Sequence, residues 1–385
     1  MSYFINKKRL ALIVIVTAVI SSLLTMAAWV AVLGLDTYKA ADLMRFFATM
    51  RLVEARYVDS VDDSKLMDGA ISGMVQSLGD PHSIYMNQDM FKQLMEHTEG
   101  AFGGIGITMG FKDNKVSVIS VLEGTPGEAA GLLAGDEILA VDGTPVTEWQ
   151  PEEVVLHIRG EVGTEVVLTV HREGQENADF TLTRGTIRVP SVKGMKLEGT
   201  ELGYIRIASF AEMTGAEFKS EYEKLKQEGI QGLIIDLRQN PGGLITSCVE
   251  VARELVPAGP IVSVVERSGS KEEYDSELES APLPIAVLMD NGSASASEIL
   301  AGALQDTGAG TVVGTQSYGK GSVQIVVPLL HEDGLKLTIA KYYTPSGRSI
   351  DGTGITPDVE VNLQPGDTND VQLEKAKEVL QGKLN

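Results

Sequence analysis

Residues 291–298 read Asn-Gly-Ser-Ala-Ser-Ala-Ser-Glu, and this stretch decides the fold class of the region around it. An apolar run typical of a buried strand precedes it over 284–289, and residues 299–304 have the apolar spacing of a helix. The serine-rich segment is therefore predicted to lie on a tight turn between a strand and a helix. Such a turn exposes a hydroxyl beside the backbone N–H groups of a helix N-terminus, which suits a nucleophile next to an oxyanion site.

Lysine, rather than histidine, is the base that the sequence offers to this serine cluster. None of the five histidines lies in a motif-like setting near Ser295, whereas Lys320 stands between two glycines directly before a β-rich run. Gln324 follows four residues later, and in an extended strand it would share a face with Lys320 and orient its amine. The pKa of a free lysine, about 10.4, must fall toward neutrality for this role, and burial in an apolar pocket can supply that change.

Two other interpretations of these residues stay open. The serines could simply cap a helix, because Glu298 follows Ser295 by three residues and completes a capping box. A Ser-His-Asp hydrolase that uses His331 is the second alternative. His331, however, stands in a polar His-Glu-Asp-Gly segment of the kind that commonly connects the strands of a hairpin.

A second polar turn follows the apolar segment 233–235. Residues 236–243 read Asp-Leu-Arg-Gln-Asn-Pro-Gly-Gly, so the strand is predicted to end in a turn that Gly242 and Gly243 close. Without side chains at these glycines, main-chain N–H groups can approach a substrate closely. One of the two glycine amides could join the amide of Ala296 in holding an oxyanion; an ordinary strand-to-helix turn is the alternative.

Together these segments resemble the carboxyl-terminal processing peptidases, also called tail-specific proteases. The resemblance covers nearly the whole chain and rests on 236–243, on 293–298, on Gly-Lys-Gly at 319–321 with Gln324, and on Tyr-Tyr-Thr-Pro-Ser-Gly-Arg at 342–348. It implies a serine endopeptidase that needs neither a metal nor an organic cofactor. The implied catalytic residues are Ser295 as nucleophile, Lys320 as general base and Gln324 as the partner of the lysine.

Residues 99–185 resemble a PDZ domain. Short predicted strands and a helix are separated by glycine turns, and the run Gly-Asp-Glu-Ile-Leu-Ala-Val-Asp-Gly at 135–143 accompanies the glycine-rich loop at 103–106. Successive N–H groups of such a loop can hold a terminal carboxylate while the peptide adds a strand to the edge of the sheet. The candidate carboxylate-binding residues are Gly104, Ile105 and Gly106.

Arg159 ends the last predicted helix of this PDZ-like region. In related proteases an arginine at this place connects the PDZ domain to the catalytic core when substrate is bound, so the resemblance makes Arg159 a regulatory candidate. The alternative is a solvated charge at a helix end, where it is favourable to the helix dipole.

Composition and charge limit the fold classes and functions that remain. The 385 residues include 43% hydrophobic residues, enough for a core in more than one domain. A net charge of −21 argues against nucleic-acid binding. The single cysteine, Cys248, lies on a predicted apolar helix face; it excludes an internal disulfide framework and is expected to be a buried structural thiol.

The N-terminus predicts a membrane segment. Basic residues within 1–9 precede an uncharged apolar run over 10–35, whose roughly 26 residues would extend about 39 Å, more than the ~30 Å of a hydrocarbon core. The basic flank places the N-terminus in the cytoplasm and the catalytic part outside it. A cleaved signal peptide is the alternative to a signal anchor.

The predicted organisation is therefore that of a multidomain α/β protein, because strands and helices alternate from residue 189 onward. The expected function is cleavage of extracytoplasmic proteins that carry apolar C-terminal tails; an inactive PDZ scaffold is the alternative. The family resemblance also suggests that the helical region contributes to a homodimer. The predicted parts are a cytoplasmic basic segment (1–9), a transmembrane signal anchor (10–35), a helical region (36–98), a PDZ domain (99–185), an α/β serine protease core (186–364) and a C-terminal helical tail (365–385).

Overall fold

The computed structural model describes residues 7–32, 37–112, 115–364 and 369–384. Contacts divide the chain into two compact units, Met1–Gly79 and Asp80–Asn385. The first unit holds the helices α1 (Lys7–Val32), α2 (Thr37–Arg56) and α3 (Asp63–Gln76). Asp62 caps α3, because its carboxylate accepts a hydrogen bond from the backbone amide of Ser64 at 3.0 Å.

The structure does not support the membrane anchor predicted over 10–35. Among the residues that it describes, no helix combines the length and the apolar character that crossing a bilayer requires. Residues 33–35 of the predicted segment lie outside the described ranges.

The second unit begins with a polar turn and a short strand. The Asp80 carboxylate accepts hydrogen bonds from the His82 amide at 3.0 Å and from the Ser83 hydroxyl at 2.6 Å, which closes the turn. Strand β1 (Ile84–Met86) and helix α4 (Gln88–Glu99) follow. The sequence predicted helices in this region but not the strand.

Residues 101–188 form a small domain of antiparallel strands. The bounds of its elements are β2 (Ala101–Gly104), β3 (Ile107–Lys112), β4 (Lys115–Val121), α5 (Pro126–Ala129), β5 (Glu137–Val141), β6 (Thr144–Pro145), α6 (Pro151–Ile158), β7 (Glu165–His171), β8 (Ala178–Thr183) and β9 (Gly185–Arg188). The main sheet has the order β3-β4-β5-β7-β8, β6 pairs with β5, and β2 pairs with β9. Strand β3 therefore lies at an edge of the sheet.

The Arg184 guanidinium fixes the end of α6 in this domain. It donates hydrogen bonds to the carbonyl oxygens of Ile158 at 2.9 Å and His157 at 2.8 Å. A cation at a helix C-terminus satisfies the last carbonyls and complements the helix dipole. The position of α6 against the sheet is thereby held.

Residues 192–384 form the α/β core. The bounds of its elements are β10 (Val192–Lys196), β11 (Leu202–Ile207), α7 (Thr214–Gln227), β12 (Gly232–Asp236), α8 (Ile245–Arg253), β13 (Gly259–Glu266), β14 (Lys271–Ser276), β15 (Ile285–Met289), α9 (Ala296–Asp306), β16 (Gly310–Gly314), β17 (Ser322–Pro328), β18 (Gly334–Tyr343), β19 (Val359–Glu360) and α10 (Val371–Leu384). The main sheet has the order β10-β11-β12-β15-β16-β19 and is parallel from β11 onward.

Helices cover both faces of this parallel sheet. Leu233 and Ile235 of β12 pack with α7, α8 and α9, whereas Ile234 packs with Ala376 and Leu380 of α10. The alternation follows from the period of two along a strand. Strands β12 and β15 are buried along their whole length, which explains their continuous apolar sequences.

A second, antiparallel sheet has the order β1-β18-β13-β14, with β17 also paired to β18. In the parallel sheet, β12 and β15 are neighbours, as are β15 and β16. The loops that follow these three strands therefore leave the same edge of the sheet. They carry the two glycines of the polar turn, the serine cluster and Lys320.

Candidate active site

Ser295 lies at the turn from β15 into α9. Its φ of 55° and ψ of −117° are uncommon for a residue with a side chain, and such a conformation costs about 1–3 kcal/mol. Neighbouring residues hold the turn: the Ala294 amide donates to Asn240 O at 3.0 Å, and the Ser293 hydroxyl donates to Leu237 O at 2.8 Å. The loop after β12 thus fixes a strained turn on which Ser295 is partly exposed.

Glu298, in the first turn of α9, joins this turn to the loop that carries Lys320. The residue is fully buried, and its carboxylate accepts hydrogen bonds from the backbone amides of Ser295 at 2.8 Å, Gly319 at 2.7 Å and Lys320 at 2.9 Å. It also accepts one from the Ser317 hydroxyl at 2.5 Å. The capping box that the sequence predicted is present. However, the same carboxylate also organises the loop of the candidate base.

Lys320 is half-buried, and its environment favours the neutral amine. Burial is the largest cause that lowers the pKa of Lys320, and the positive charge of Lys336 is the second. The carboxylates of Glu298 and Asp80 act in the opposite direction. The Tyr318 amide donates to Ser293 O at 3.0 Å, which holds the loop against the serine turn. Within the described residues, Ser295 Oγ and Lys320 Nζ are not hydrogen-bonded to each other.

Gln324 is held in a different way from the sequence-based expectation. Strand β17 begins only at Ser322, so Lys320 precedes the strand and simple alternation from Lys320 does not apply. The Gln324 amide nitrogen donates to Ser322 Oγ at 2.8 Å and to Thr338 Oγ1 at 3.3 Å. No contact between Gln324 and Lys320 follows from these bonds.

Of the predicted oxyanion residues, Gly242 and Ala296 lie beside Ser295. A Cβ on Gly242 would lie 2.8 Å from Ser295 Cβ and 2.9 Å from the Ala296 nitrogen. The Gly242 amide donates to Asn240 Oδ1 at 2.8 Å, so it is already engaged. In the described part of the chain, the amides of Gly243 and Ala296 have no hydrogen-bond acceptor, which makes them the better pair of donors. Gly243 is exposed and Ala296 is fully buried, so a substrate carbonyl reaches both only if residues around Ala296 move.

The candidate carboxylate loop borders an apolar groove of about 440 Å³ in the small β domain. The groove runs between edge strand β3 and helix α6, with Ile107 on one side and Val155 on the other. The basic residues Arg159, Arg188 and Lys193 also line it. All three residues of the predicted loop, Gly104, Ile105 and Gly106, line this groove.

Arg159 follows α6 at the border between the small domain and the core. Its guanidinium lies 3.8 Å from the centroid of the Phe102 ring, a cation–π contact. Besides the groove, Arg159 lines a second cavity of about 430 Å³, to which Ser209 of the core contributes. Arg159 therefore lines both the groove and a cavity that borders the core.

Three functional candidates near the site escaped the sequence analysis. Glu298 was interpreted only as a helix cap, Tyr342 only as part of the segment 342–348 that carries the family resemblance, and the turn at Asp80 was given no role in the site. The sequence offered one signal for Glu298, namely an acidic residue inside a serine-rich turn. The burial that distinguishes Glu298 from an ordinary exposed helix cap is visible only in the structure. Cys248 is buried as predicted.

The structure bears differently on the two alternatives, a Ser-His-Asp hydrolase that uses His331 and a simple helix cap. His331 is exposed in the turn between β17 and β18, where its amide donates to Asp333 at 3.2 Å. Lys320 precedes β17 and His331 follows it, so about 11 residues of chain at ~3.3 Å each separate them along the hairpin. His331 is therefore not part of the Ser295 site, whereas the capping role of Glu298 coexists with the proposed site.

Known protein families match separate parts of this chain. Residues 201–361 match peptidase family S41, residues 103–182 match the PDZ domain, and residues 34–90 match the N-terminal domain of the activating protease CtpB. The fold and the family matches define a serine-type peptidase that contains a PDZ domain.

Similar proteins cover most of this chain. A carboxy-terminal-processing protease of Bartonella bacilliformis is 42% identical over 85% of this chain and 76% of its own length. The carboxy-terminal processing protease CtpA of Bacillus subtilis is 36% identical over 92% of this chain and 77% of its own length. The chain belongs to peptidase family S41, among the carboxy-terminal processing proteases. A putative S41 protease structure from Bacteroides fragilis shares the fold, with a TM-score of 0.50, 16% identity, and coverage of 82% of this chain and 90% of that one.

Proposed function

We propose that this peptidase recognises protein C-termini in the groove beside β3 and cleaves the bound chain with Ser295 and Lys320. The observation that carries the proposal is the buried Glu298 carboxylate, which holds the Ser295 turn and the Lys320 loop together through three backbone amides. Two loops that are distant in sequence are thereby fixed as one site. A scaffold without catalysis gives no physical reason for this arrangement.

The chemistry follows from the properties of the two residues. Neutral Lys320 accepts the proton of Ser295 Oγ as the oxygen attacks the scissile carbonyl carbon. The amides of Ala296 and Gly243 stabilise the negative charge that forms on the carbonyl oxygen. The protonated lysine gives its proton to the leaving amine, and water then hydrolyses the acyl-enzyme. Gln324 is the proposed partner of Lys320, and its amide nitrogen donates to Ser322 Oγ and Thr338 Oγ1.

Recognition of a C-terminus rests on the groove of the PDZ domain. A peptide can add to edge strand β3, its apolar side chains can enter the groove, and its terminal carboxylate can approach the loop that contains Ile105. The basic side chains of Arg159, Arg188 and Lys193 favour that carboxylate. Arg159 is the candidate for passing occupancy of the groove on to the core.

The test compares the full chain with its Ser295→Ala and Lys320→Ala variants. Each is incubated with an unstructured protein that has an apolar C-terminal tail, and product masses are followed over time. A second substrate carries an amidated C-terminus. We expect cleavage to disappear in both variants and to weaken on amidation. Tail binding without cleavage by all three proteins would favour the inactive scaffold instead.

Cellular location and assembly remain proposals from the sequence. Basic residues ahead of an apolar N-terminal segment support a catalytic part outside the cytoplasm. Exposed apolar side chains on α2 and α3, such as Leu52 and Met74, support a homodimer through this region. Protease accessibility in intact cells tests the first proposal, and sedimentation of the purified chain tests the second.

A further inference from the structure

Tyr342 of β18 places a hydroxyl in the core behind the candidate nucleophile. Its side chain is only 1% exposed, and its hydroxyl has no hydrogen-bond partner among the described residues. A buried hydroxyl without a partner costs about 1–3 kcal/mol, and few such groups occur in native proteins. This orphaned group calls for an explanation beyond packing.

Tyr342 lies in the same buried cluster as Cys248 and Ala296. The Ser295 hydroxyl, the Glu298 carboxylate and the Cys248 thiol influence the pKa of Tyr342, as does Asp351. The Cys248 Sγ in turn donates to Ala296 O at 3.1 Å. The tyrosine side chain thus lies in the cluster that packs behind the first turn of α9.

The backbone of Tyr342 is tied to the loop of the candidate base. Its amide donates to Gly321 O at 3.0 Å, and Gly321 directly follows Lys320. The side chain therefore packs near the serine turn, while the main chain binds the lysine loop. A change in the relative position of Ser295 and Lys320 would disturb at least one of these two interactions of Tyr342.

We infer that Tyr342 is a further catalytic residue of the proposed Ser295–Lys320 site, whose hydroxyl donates a hydrogen bond to Ser295 Oγ during the attack. With a lone pair of Oγ occupied by the tyrosine, the serine proton is free to point at Lys320 Nζ. The proton moves from Oγ to Nζ, the new bond forms between Oγ and the carbonyl carbon, and Tyr342 keeps its own proton throughout. The inference rests on the proposed function.

The ionisation behaviour of the residue agrees with a donor that stays neutral. Burial, as the largest cause, and the negative charge of Glu298 raise the pKa of Tyr342 well above its ordinary value, and the Ser295 hydroxyl opposes them. The phenol therefore stays protonated at every pH at which a lysine base operates. It can donate a hydrogen bond but cannot replace Lys320 as the base.

The chain offers a matched control. Tyr222 of α7 is also 1% exposed, and its hydroxyl likewise has no partner among the described residues. Burial raises the pKa of Tyr222 to about 12, but the charges that face it are Glu254 and Glu223 rather than residues of the site. Tyr222→Phe and Tyr342→Phe thus remove equivalent atoms, of which only one lies among residues of the site.

The experiment measures kcat, KM and the thermal midpoint for the wild-type full chain, Tyr342→Phe, Tyr222→Phe and Ser295→Ala, with the unstructured apolar-tailed substrate. The rate of Ser295 acylation by a fluorophosphonate is measured in parallel, because it does not depend on peptide binding. We expect Tyr342→Phe to lower kcat and the acylation rate on the order of 10- to 100-fold, the worth of one hydrogen bond to a developing charge. In Tyr342→Phe, KM should stay close to the wild-type value, and the thermal midpoint should be unchanged or higher. Tyr222→Phe should change neither kcat nor the acylation rate.

The pH profile separates chemistry from structure. Tyr342 is not among the charges that set the pKa of Lys320, so Tyr342→Phe should lower the plateau of kcat without moving its midpoint. Equal rates in Tyr342→Phe and Tyr222→Phe would overturn this inference but not the proposed function. A loss of rate that follows a lower thermal midpoint would do the same. Cleavage that persists in Ser295→Ala, or a wild-type chain that neither cuts nor reacts, would overturn the proposed function and the inference with it.

Discussion

Glu298 Oε2 accepts a hydrogen bond from the Lys320 backbone amide at 2.9 Å, although 22 residues separate the two in sequence. The same oxygen accepts the Ser295 amide at 2.8 Å. A single buried carboxylate therefore sets the spacing between the loops of the candidate nucleophile and the candidate base. The stability and the activity of the site should both depend on it.

Glu298→Gln should destabilise the protein by about 2–4 kcal/mol and abolish most cleavage. The amide NH₂ group would face backbone donors, so buried N–H groups would lose their acceptor. Chemical unfolding and kcat measure the two effects. Glu223→Gln is the control, because Glu223 is 47% exposed in a surface ion pair with Lys226 and should change stability by less than about 0.5 kcal/mol. Indistinguishable unfolding curves for the two variants would rule out the bracing role.

Lys336→Met and Asp80→Asn should shift the pH dependence of kcat/KM in opposite directions. Lys320 must be neutral to act, so activity rises with pH through the pKa of Lys320. The charge of Lys336 lowers that pKa and the charge of Asp80 raises it. Loss of Lys336 should therefore move the rise to higher pH, and loss of Asp80 should move it to lower pH. Shifts of the same sign would show that another group controls the profile.

Lys320→Met should flatten the pH dependence of stability under alkaline conditions. The pKa of Lys320 is lower in the folded chain, so between that value and about 10.4 the unfolded chain binds more protons. The free energy of unfolding of the wild type therefore rises with pH across this window. The difference between wild type and variant, measured by urea unfolding at several pH values, should grow in the same direction; a constant difference would contradict the lowered pKa.

Gly242→Ala should reduce kcat on the order of 10-fold or more, because a methyl group there would crowd the oxyanion donor. Its Cβ would lie 2.7 Å from Ala294 O and 2.9 Å from the Ala296 nitrogen. Gly199→Ala is the matched control: its φ is also positive, at 69°, but no atom lies within 4 Å of the added carbon. The control should lose about 1 kcal/mol of stability and keep its kcat. Equal kcat values in both variants would remove Gly242 from the site.

Arg238→Met should destabilise the core by about 3–5 kcal/mol, because it leaves the fully buried Asp236 without its main cation. Arg238 also holds Asp370, directly before α10, at 2.8 Å. Hydrogen exchange in α10 should therefore accelerate more than exchange in α7. As a control, Lys375→Met breaks a surface pair within α10 and should cost less than about 0.5 kcal/mol. Unchanged exchange in α10 would show that its apolar contacts alone hold the helix.

Local sequence predicted the elements of the site well. The apolar run before residue 291 and the helical spacing after it are the strand β15 and the helix α9 of the structure. The polar turn with two glycines after residue 235 is likewise the turn that follows β12. These predictions succeeded because strand burial, helix spacing and glycine turns are properties of a few consecutive residues.

The sequence was less informative where a contact joins distant residues. Alternation along a strand suggested that Gln324 faces Lys320, but β17 begins only at Ser322, so Lys320 lies outside the strand. The choice between Gly242 and Gly243 as an oxyanion donor depended on Asn240, whose side chain already accepts the Gly242 amide. Neither the start of β17 nor this hydrogen bond leaves a recognisable pattern in the chain.

The sequence by itself determined the order of strands, turns and helices, the PDZ-like and peptidase segments, and the residue types available for catalysis. Only the tertiary structure decided that Glu298 binds two loops at once, that burial favours the neutral form of Lys320, and that Tyr342 buries a hydroxyl that has no hydrogen-bond partner among the described residues. The physical reason is that burial and hydrogen-bond satisfaction are properties of a packed environment. They exist only after segments far apart in the chain have been brought together.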